Sequence, residues 1–285
     1  MSQRNLPELS PRKLPQTCAF MPDSSAIDRW NGGIAAQQTP DNTISILDVI
    51  GEDFWTGGGV TSKRVAAALR SIGEGTDVFV DINSPGGDFF EGVAIYNLLR
   101  EHKAKVTVRV LGIAASAASV VAMAGDEIMI GKAGFLMVHN AWVVAIGNRH
   151  DLTEAAKTME PFDDAMATVY SDRAGVTKKA AARWMDDETW FNGEQAVENG
   201  LADGFLASDA TKKDPAKAKA LAEMKPALKA EFAMRRAGMS RNESRSLIGD
   251  LVGEEAVAAA LQRQAVADDD DLRAALQQLT QTLSF

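Results

Sequence analysis

The sequence predicts an α/β fold with a layered core. Between residues 43 and 140, short β-branched or apolar runs alternate with amphipathic stretches long enough to form helices. One long helical pattern follows this region, and turns rich in glycine or alanine separate two strands from the helices after them. Strands and helices that alternate in this way are typical of βαβ units, which bury a sheet beneath helices.

Each predicted element follows from a local pattern of apolar residues. The segment TISILDVI (43–50) is β-branched and apolar like a strand, whereas Val65, Leu69 and Ile72 share one face of a helix that starts at a Thr-Ser pair. Short apolar runs predict the other strands, and apolar residues at helical spacing predict the other helices. The predicted strands cover residues 43–50, 76–82, 105–112, 126–131, 134–140 and 200–207, and the predicted helices cover residues 61–72, 89–102, 116–125, 151–173, 177–185 and 193–199.

The long helical pattern over residues 151–173 contains a proline, Pro161. Proline lacks the backbone N–H group that a helix uses and its ring clashes with the preceding turn. We therefore expect this helix to kink or restart near Glu160.

Composition divides the chain into three parts. Five of the nine prolines lie in the first 40 residues, where no periodicity is sustained, so residues 1–42 are predicted to form a flexible N-terminal arm. The α/β domain is predicted over residues 43–207. Residues 208–285 are predicted to form a charged, helix-prone extension, in which 211–245 carries ten Lys or Arg and four Asp or Glu residues.

Charge and cysteine content exclude several classes of protein. The 30 basic and 39 acidic residues give a net charge of -9, which argues against a protein that coats nucleic acid. Cys18 is the only cysteine, which excludes a disulfide scaffold and a CxxC zinc site and suits a reducing compartment. No apolar run reaches the length of a membrane span, and no signal peptide is visible. We expect no metal and no cofactor, because neither HExxH spacing nor a Walker-type phosphate loop occurs.

Two turns carry residues suited to chemistry. The turn NSPGGD (83–88) joins a strand to a helix, and its Gly86 and Gly87 would let the backbone approach a substrate and aim N–H groups at an anion or oxyanion. The turn GIAASAAS (112–119) places Ser116 among small residues at a helix start, where a carbonyl has room to approach. Ordinary turns and helix caps use the same residue types, so each signal also has a structural interpretation.

A serine hydroxyl is a weak nucleophile until a base accepts its proton, and the sequence offers three histidines. His102 ends a helix, and His150 lies in a polar stretch. His139 closes the apolar strand FLMVH and is therefore the candidate base. A carboxylate would fix its tautomer, and the candidates are Asp186, Asp187 and Glu188, which are equally typical of a helix end.

Four motifs together resemble the ClpP-type serine peptidases, and most closely the phage and prophage head maturation (prohead) proteases. The resemblance covers residues 43–207, with the motifs in the family's order. The motifs are NSPGGD, GIAAS, LMVHN and DETWFNGEQAVENGLAD.

The resemblance implies a ClpP/crotonase-like βαβ superhelix with a long handle helix at 151–173, through which subunits pack into homo-oligomeric rings. It implies that Ser116 is the nucleophile, that His139 is the general base and acid, and that the N–H groups of Gly87 and Ala117 form the oxyanion hole. Glu188 takes the acid position, where the well-known family members have aspartate, and Asp187 is the alternative acid.

The expected function is a serine endopeptidase that cleaves capsid or scaffold proteins during phage head maturation, in the bacterial host cytoplasm at the assembling prohead. Three alternatives remain: a ClpP-like subunit that works with a host ATPase unfoldase, a crotonase-type acyl-CoA enzyme, and a non-catalytic capsid assembly or scaffolding protein. The intact pair of Ser116 and His139 favours an enzyme over the last of these.

Overall fold

A mixed sheet of seven strands forms the centre of the protein, which we describe from a computed structural model. The structure describes residues 24–52, 58–142, 145, 147–207, 210–236 and 239–252. The strands are β1 (Ile34–Ala36), β2 (Thr43–Ile46), β3 (Val78–Ser84), β4 (Val106–Ala115), β5 (Glu127–Ile130), β6 (Phe135–Met137), β7 (Trp190–Asn192), β8 (Gly204–Phe205) and β9 (Thr211–Lys213). The helices are α1 (Ser24–Arg29), α2 (Ser62–Ile72), α3 (Phe89–Arg100), α4 (Ala117–Ala122), α5 (Arg149–Ala174), α6 (Lys178–Asp186), α7 (Gly193–Glu198), α8 (Pro215–Arg236) and α9 (Arg241–Val252).

The main sheet is parallel along the path β2-β3-β4-β5-β8. β6 adds to the end of β4 in parallel and pairs with β7 in antiparallel fashion. Helices α2, α3 and α4 connect or follow these strands, as the alternating pattern predicts. The α/β fold class with a parallel sheet and long helices is therefore confirmed.

Alternation along the central strands places their branched residues in the core. On β3 the side chains of Val78, Val80 and Ile82 are fully buried, and the matching positions of β4 are valines. The opposite face of the same two strands carries an ion pair, in which Arg109 Nε lies 2.6 Å from an Asp81 carboxylate oxygen. One face of the sheet thus supplies the apolar core that positions the functional turns at the strand ends.

Helix α5 runs from Arg149 to Ala174 without a break at Pro161, so the predicted restart near Glu160 is wrong. Pro161 has no N–H to donate to the carbonyl of Lys157, but both residues are exposed, so water can satisfy that carbonyl.

The sequence patterns also missed three short strands, β1, β7 and β9. A three-residue strand is too short to show a period, and its pairing comes from distant parts of the chain.

The segments on either side of the predicted α/β domain pack on its sheet. Residues 24–36 form α1 and β1, β1 pairs with β9, and helix α8 packs against α1, unlike the flexible arm expected there. Residues 1–23 of that expected arm, and residues 253–285 of the extension, lie outside the described residues. The shared apolar cluster consists of Ala26, Ile27, Trp30, Val49, Ile113, Ala115, Met137, Leu221, Leu228 and Ile248. The domain limits at residues 42 and 207 stay predictions.

In the part of the chain that the structure describes, none of the helices combines the length and the apolar character that a membrane crossing needs.

The buried side chain of Ile27 provides a test of this packing. We expect Ile27→Ala to lower the free energy of unfolding by about 2–5 kcal/mol, because it empties space in a closed cluster. Denaturant titration followed by circular dichroism measures the change. Leu247→Ala, at a side chain 41% exposed, is the control and should cost no more than about 0.5 kcal/mol. If Ile27→Ala and the unchanged protein have the same free energy of unfolding, the packing of residues 24–36 in this cluster is contradicted.

Candidate functional site

The glycine turn between β3 and α3 lies beside Ile50, which follows β2. The Ile50 N–H donates to the Gly86 carbonyl at 2.9 Å, and the Ile50 carbonyl accepts from the Asp88 N–H at 2.9 Å. Asp88 also caps α3, since its carboxylate accepts a hydrogen bond from the Glu91 N–H. The turn is thus fixed between a neighbouring backbone segment and a helix start.

Glycine is required at both central positions of this turn. Gly86 has φ +92° and Gly87 has φ +154°, which are strained conformations for other residues. A Cβ atom on Gly86 would lie 2.7 Å from Ser116 Cβ and 3.1 Å from the Ala117 amide nitrogen. A Cβ atom on Gly87 would overlap the Ile50 carbonyl. The turn therefore approaches the Ser116 backbone more closely than any side chain would allow.

Ser116 joins β4 to α4 in a strained backbone conformation with positive φ (φ +56°, ψ −128°). Its N–H donates to the Met137 carbonyl at 2.9 Å, and its carbonyl accepts from the Ser119 N–H at 2.9 Å and from Ser119 Oγ at 2.6 Å. Such strain persists only where the surroundings hold it, and it is concentrated at functional sites.

A buried pair of hydroxyl groups supports this conformation. Ser119 Oγ lies 2.8 Å from the hydroxyl oxygen of Tyr170, on helix α5. Because Ser119 uses its one proton toward the Ser116 carbonyl, Tyr170 is the donor in this contact. Burial raises the pKa of Tyr170, so its hydroxyl stays protonated. Neither residue was predicted from the sequence as part of the site, although a serine inside the otherwise apolar helix AASVVA indicates a buried polar group that needs a partner.

The Ser116 hydroxyl contacts the imidazole of His139. Ser116 Oγ lies 2.7 Å from His139 Nε2, and the two residues are 1% and 2% exposed. Ser116 makes no side-chain cap to helix α4, which leaves its hydroxyl for this contact. His102 instead contacts the Thr76 carbonyl, and His150 lies exposed in the first turn of α5. The candidate nucleophile and the candidate base are thus in hydrogen-bonding contact.

Glu188 and His139 each lie one residue from a backbone hydrogen bond that extends the β6–β7 pairing. The β6–β7 pairing joins Met137 to Trp190, and the Val138 N–H donates to the Thr189 carbonyl at 3.1 Å. The Thr189 and Glu188 N–H groups turn back to bond the carbonyls of Trp184 and Met185. Glu188 has φ +47°, one of two non-glycine residues with positive φ in the described part of the chain. The side chains of Glu188 and Asp187 are exposed, and neither carboxylate bonds to another of the residues described.

Two backbone N–H groups lie in the glycine turn and in the turn that carries Ser116. Within the described ranges, neither the Gly87 N–H nor the Ala117 N–H donates to another protein group. Ala117 directly follows Ser116, and the Gly86–Gly87 turn is packed against both residues. Free N–H groups beside a buried hydroxyl are suited to stabilising a negative oxygen that develops on a bound carbonyl.

The segment after His139 is held by two further carboxylates. Asp186 accepts from Asn140 Nδ2 at 2.8 Å, and Asp163 on helix α5 accepts from the Ala141 N–H at 2.7 Å. Burial raises the pKa of Asp163, the negative charge of Asp186 adds to the rise, and the Ala141 hydrogen bond opposes it. Asp163 lies 24 residues from His139 on a separate helix, and no local pattern marked it.

The donor set at this site is one hydroxyl, one imidazole and backbone N–H groups. Among the described residues there is no group of three or more His, Cys, Asp or Glu side chains that could hold a metal ion. A hydroxyl in contact with an imidazole, beside free N–H groups, is the arrangement used for acyl transfer.

Comparisons with known proteins agree on one family. A family profile described as Clp protease matches residues 61–209, which is more than half of the chain. An ATP-dependent Clp protease proteolytic subunit of Bacteroides fragilis is 29% identical over 143 residues, which cover 48% of this chain and 68% of that protein. One from Deinococcus radiodurans is 32% identical over 130 residues, covering 44% and 62%. Subunit 1 of Streptomyces avermitilis is 30% identical over 155 residues, covering 52% and 71%.

The raised pKa of Asp163 predicts how stability depends on pH. A raised carboxyl pKa means that the charged form is disfavoured in the folded state, so ionised Asp163 lowers stability at neutral pH. Asparagine can still accept from the Ala141 N–H without that charge. We expect Asp163→Asn to raise the free energy of unfolding at pH 7, with the gain shrinking as the pH falls through the raised pKa.

Denaturant titrations at pH 7 and pH 4 measure this difference. The matched control is Asp164→Asn, which removes an exposed carboxylate paired with Lys178 and should lower stability by no more than about 1 kcal/mol. A loss of stability in Asp163→Asn at pH 7 that persists at pH 4 would contradict the assigned charge effect.

Proposed function

The chain belongs to the Clp protease family of serine peptidases, and we propose that it is an endopeptidase in which Ser116 is the nucleophile and His139 the general base. The observation that carries this proposal is the 2.7 Å contact between Ser116 Oγ and His139 Nε2. The backbone of Ser116 is strained, and both its N–H and its carbonyl are hydrogen-bonded.

The proposed reaction has two halves. Ser116 Oγ attacks the carbonyl carbon of the scissile bond while His139 Nε2 accepts its proton, and the Gly87 and Ala117 N–H groups donate to the resulting oxyanion. His139 then gives the proton to the leaving amine, the C–N bond breaks and an acyl-enzyme forms. A water molecule, deprotonated by His139, attacks this ester and releases the new carboxylate with Ser116 restored.

We assign the orientation of His139 to Glu188. Its backbone lies one residue from the Val138–Thr189 hydrogen bond, and Val138 directly precedes His139. A carboxylate there would hold the imidazole proton on Nδ1 and leave Nε2 to accept from Ser116. This role requires the exposed side chain to turn toward His139 when substrate binds. Asp187, one residue earlier, is the alternative acid.

The substrates that we propose are capsid or scaffold proteins cut during phage head maturation. Support comes from the four motifs NSPGGD, GIAAS, LMVHN and DETWFNGEQAVENGLAD, which together most closely resemble the prohead branch, and from helices α8 and α9 of the charged extension, which lie outside the matched residues 61–209. In this proposal the subunits form rings through helix α5. The relatives are named ATP-dependent subunits, and this favours a second candidate function, degradation with an ATPase partner.

The proposal predicts cleavage that depends on Ser116 and needs no ATP. We expect the purified protein to cut a folded capsid or scaffold protein from the same source, as seen by mass spectrometry of the products. Ser116→Ala should lower the rate by about 10⁴-fold or more, because the nucleophile is lost. The control is Ser171→Ala. The Ser171 hydroxyl is also buried and donates to the Thr168 carbonyl, so its loss should leave the cleavage rate unchanged.

The outcomes separate the candidate functions. Cleavage only when an ATPase unfoldase and ATP are added would favour the second candidate. Cleavage of small peptides but of no capsid protein would keep the peptidase and reject the capsid substrates. Cleavage by Ser116→Ala at the unchanged rate would reject the mechanism.

The acid assignment predicts different effects of two neighbouring substitutions. Glu188→Gln should lower kcat for peptide hydrolysis by about 10²- to 10⁴-fold, because the imidazole loses the charge that orients it and stabilises its protonated form. Asp187→Asn should leave kcat within about twofold, since an exposed side chain away from the reaction contributes little. The reverse pattern would assign the role to Asp187.

A further inference from the structure

The β3–β4 ladder breaks immediately before the glycine turn. Ile82 pairs with Val110, but Ser84 pairs with Ala114, so β4 has two more residues than β3 across the break. Asn83 fills this position with a fully buried side chain, and its Oδ1 accepts from the Ile113 N–H at 3.3 Å. The approach is close, since a Cβ atom on Gly112 would lie 2.6 Å from Asn83 Oδ1. Asn83 thus replaces a missing backbone pair three residues before Gly86.

The other polar groups of Asn83 bind the segment before β2. Its Nδ2 donates to the carbonyl oxygens of Asn31 at 2.7 Å and Ile34 at 3.1 Å. The Asn83 carbonyl accepts from Trp30 Nε1 at 2.8 Å, and Trp30 is almost fully buried. This segment therefore fixes both the side chain and the backbone of the residue that leads into the turn.

Helix α8 holds that segment in place. Lys229 Nζ contacts both carboxylate oxygens of Asp28, at 2.7 and 2.8 Å, and Lys225 Nζ donates to the Asp28 carbonyl at 2.9 Å. The Asp214 N–H donates to the Gly33 carbonyl at 2.6 Å, and β1 pairs with β9 along three residues. We call residues 27–36 together with residues 211–229 the brace.

We infer that the brace positions the oxyanion turn, with Trp30 and Asn83 as its positioning residues. Oxyanion donors act only when they lie within about 2.7–3.1 Å of the developing charge, and a misplacement of about 1 Å costs about 10²-fold in rate. The break in the ladder removes the sheet hydrogen bonds that would otherwise fix this part of β3, and the brace supplies replacements. Both segments of the brace lie outside the matched residues 61–209.

The inference rests on the proposed function. In this inference the C-terminal extension, through residues 211–229 of the brace, helps to position the oxyanion turn. Because the oxyanion exists only in the transition state, loosening the turn should lower kcat and leave KM nearly unchanged. Substituting a residue that only stabilises the fold would instead lower the amount of folded, active protein and leave kcat per active site unchanged. Substitutions elsewhere in the core would have the same effect.

The test is peptide hydrolysis by the full-length variant Trp30→Phe. Phenylalanine keeps an aromatic ring in the cluster but removes the N–H that bonds the Asn83 carbonyl, which should lower kcat about two- to tenfold at unchanged KM. The control is Trp184→Phe. The ring of Trp184 packs on Phe191 with centroids 5.3 Å apart, and this variant should have the same kcat as the unchanged protein. Active sites are counted by titration with a fluorophosphonate, so that a loss of folded protein is separated from a lower kcat.

A second variant, Asp28→Asn, acts on the brace from the surface, where the fold is not at risk. It should lower kcat in the same direction and by a smaller factor. An unchanged kcat per titrated site in both variants, or an equal fall in Trp184→Phe, would overturn the inference. If the unchanged protein hydrolyses no peptide, the proposed function fails instead.

Discussion

The strained, positive-φ backbone of Ser116 is the constraint on which the site depends. Its N–H is bound to the Met137 carbonyl on β6, and its carbonyl is bound by Ser119 on α4, so both peptide groups are fixed. This geometry directs the hydroxyl toward His139, two residues beyond Met137, and leaves the Ala117 N–H unused by the helix. The energy stored in the strained residue is offset by buried hydrogen bonds that reach as far as Tyr170 on α5.

A second constraint acts from the other strand. The glycine turn must approach Ser116 without side chains, yet the ladder that would fix it is interrupted at Asn83. Hydrogen bonds between Asn83 and residues before β2 take the place of the missing pairs, and helix α8 holds those residues through Asp28. The glycine turn is thus supported by segments from before β2 and from helix α8, whereas Ser116 is held by β6, α4 and α5.

Much of the α/β core could be predicted, because strands such as 105–112 and helices such as 61–72 carry their period locally. Ser116 and His139 could be singled out because each follows a recognisable strand. The contacts of Asn83 with residues about 50 positions earlier could not, since nothing periodic marks that segment. Pro161 was misleading because an exposed helix face lets water satisfy the carbonyl that a proline leaves unpaired.

The central claim is that His139 activates a strained Ser116, and the pH dependence of covalent labelling tests it most directly. The rate at which a fluorophosphonate modifies Ser116 should rise as His139 loses its proton, and should fall by about 10²-fold or more in His139→Gln. His102→Gln, at the imidazole that contacts the Thr76 carbonyl, should label like the unchanged protein. Labelling of Ser116 at the same rate with and without His139, independent of pH, would contradict the account.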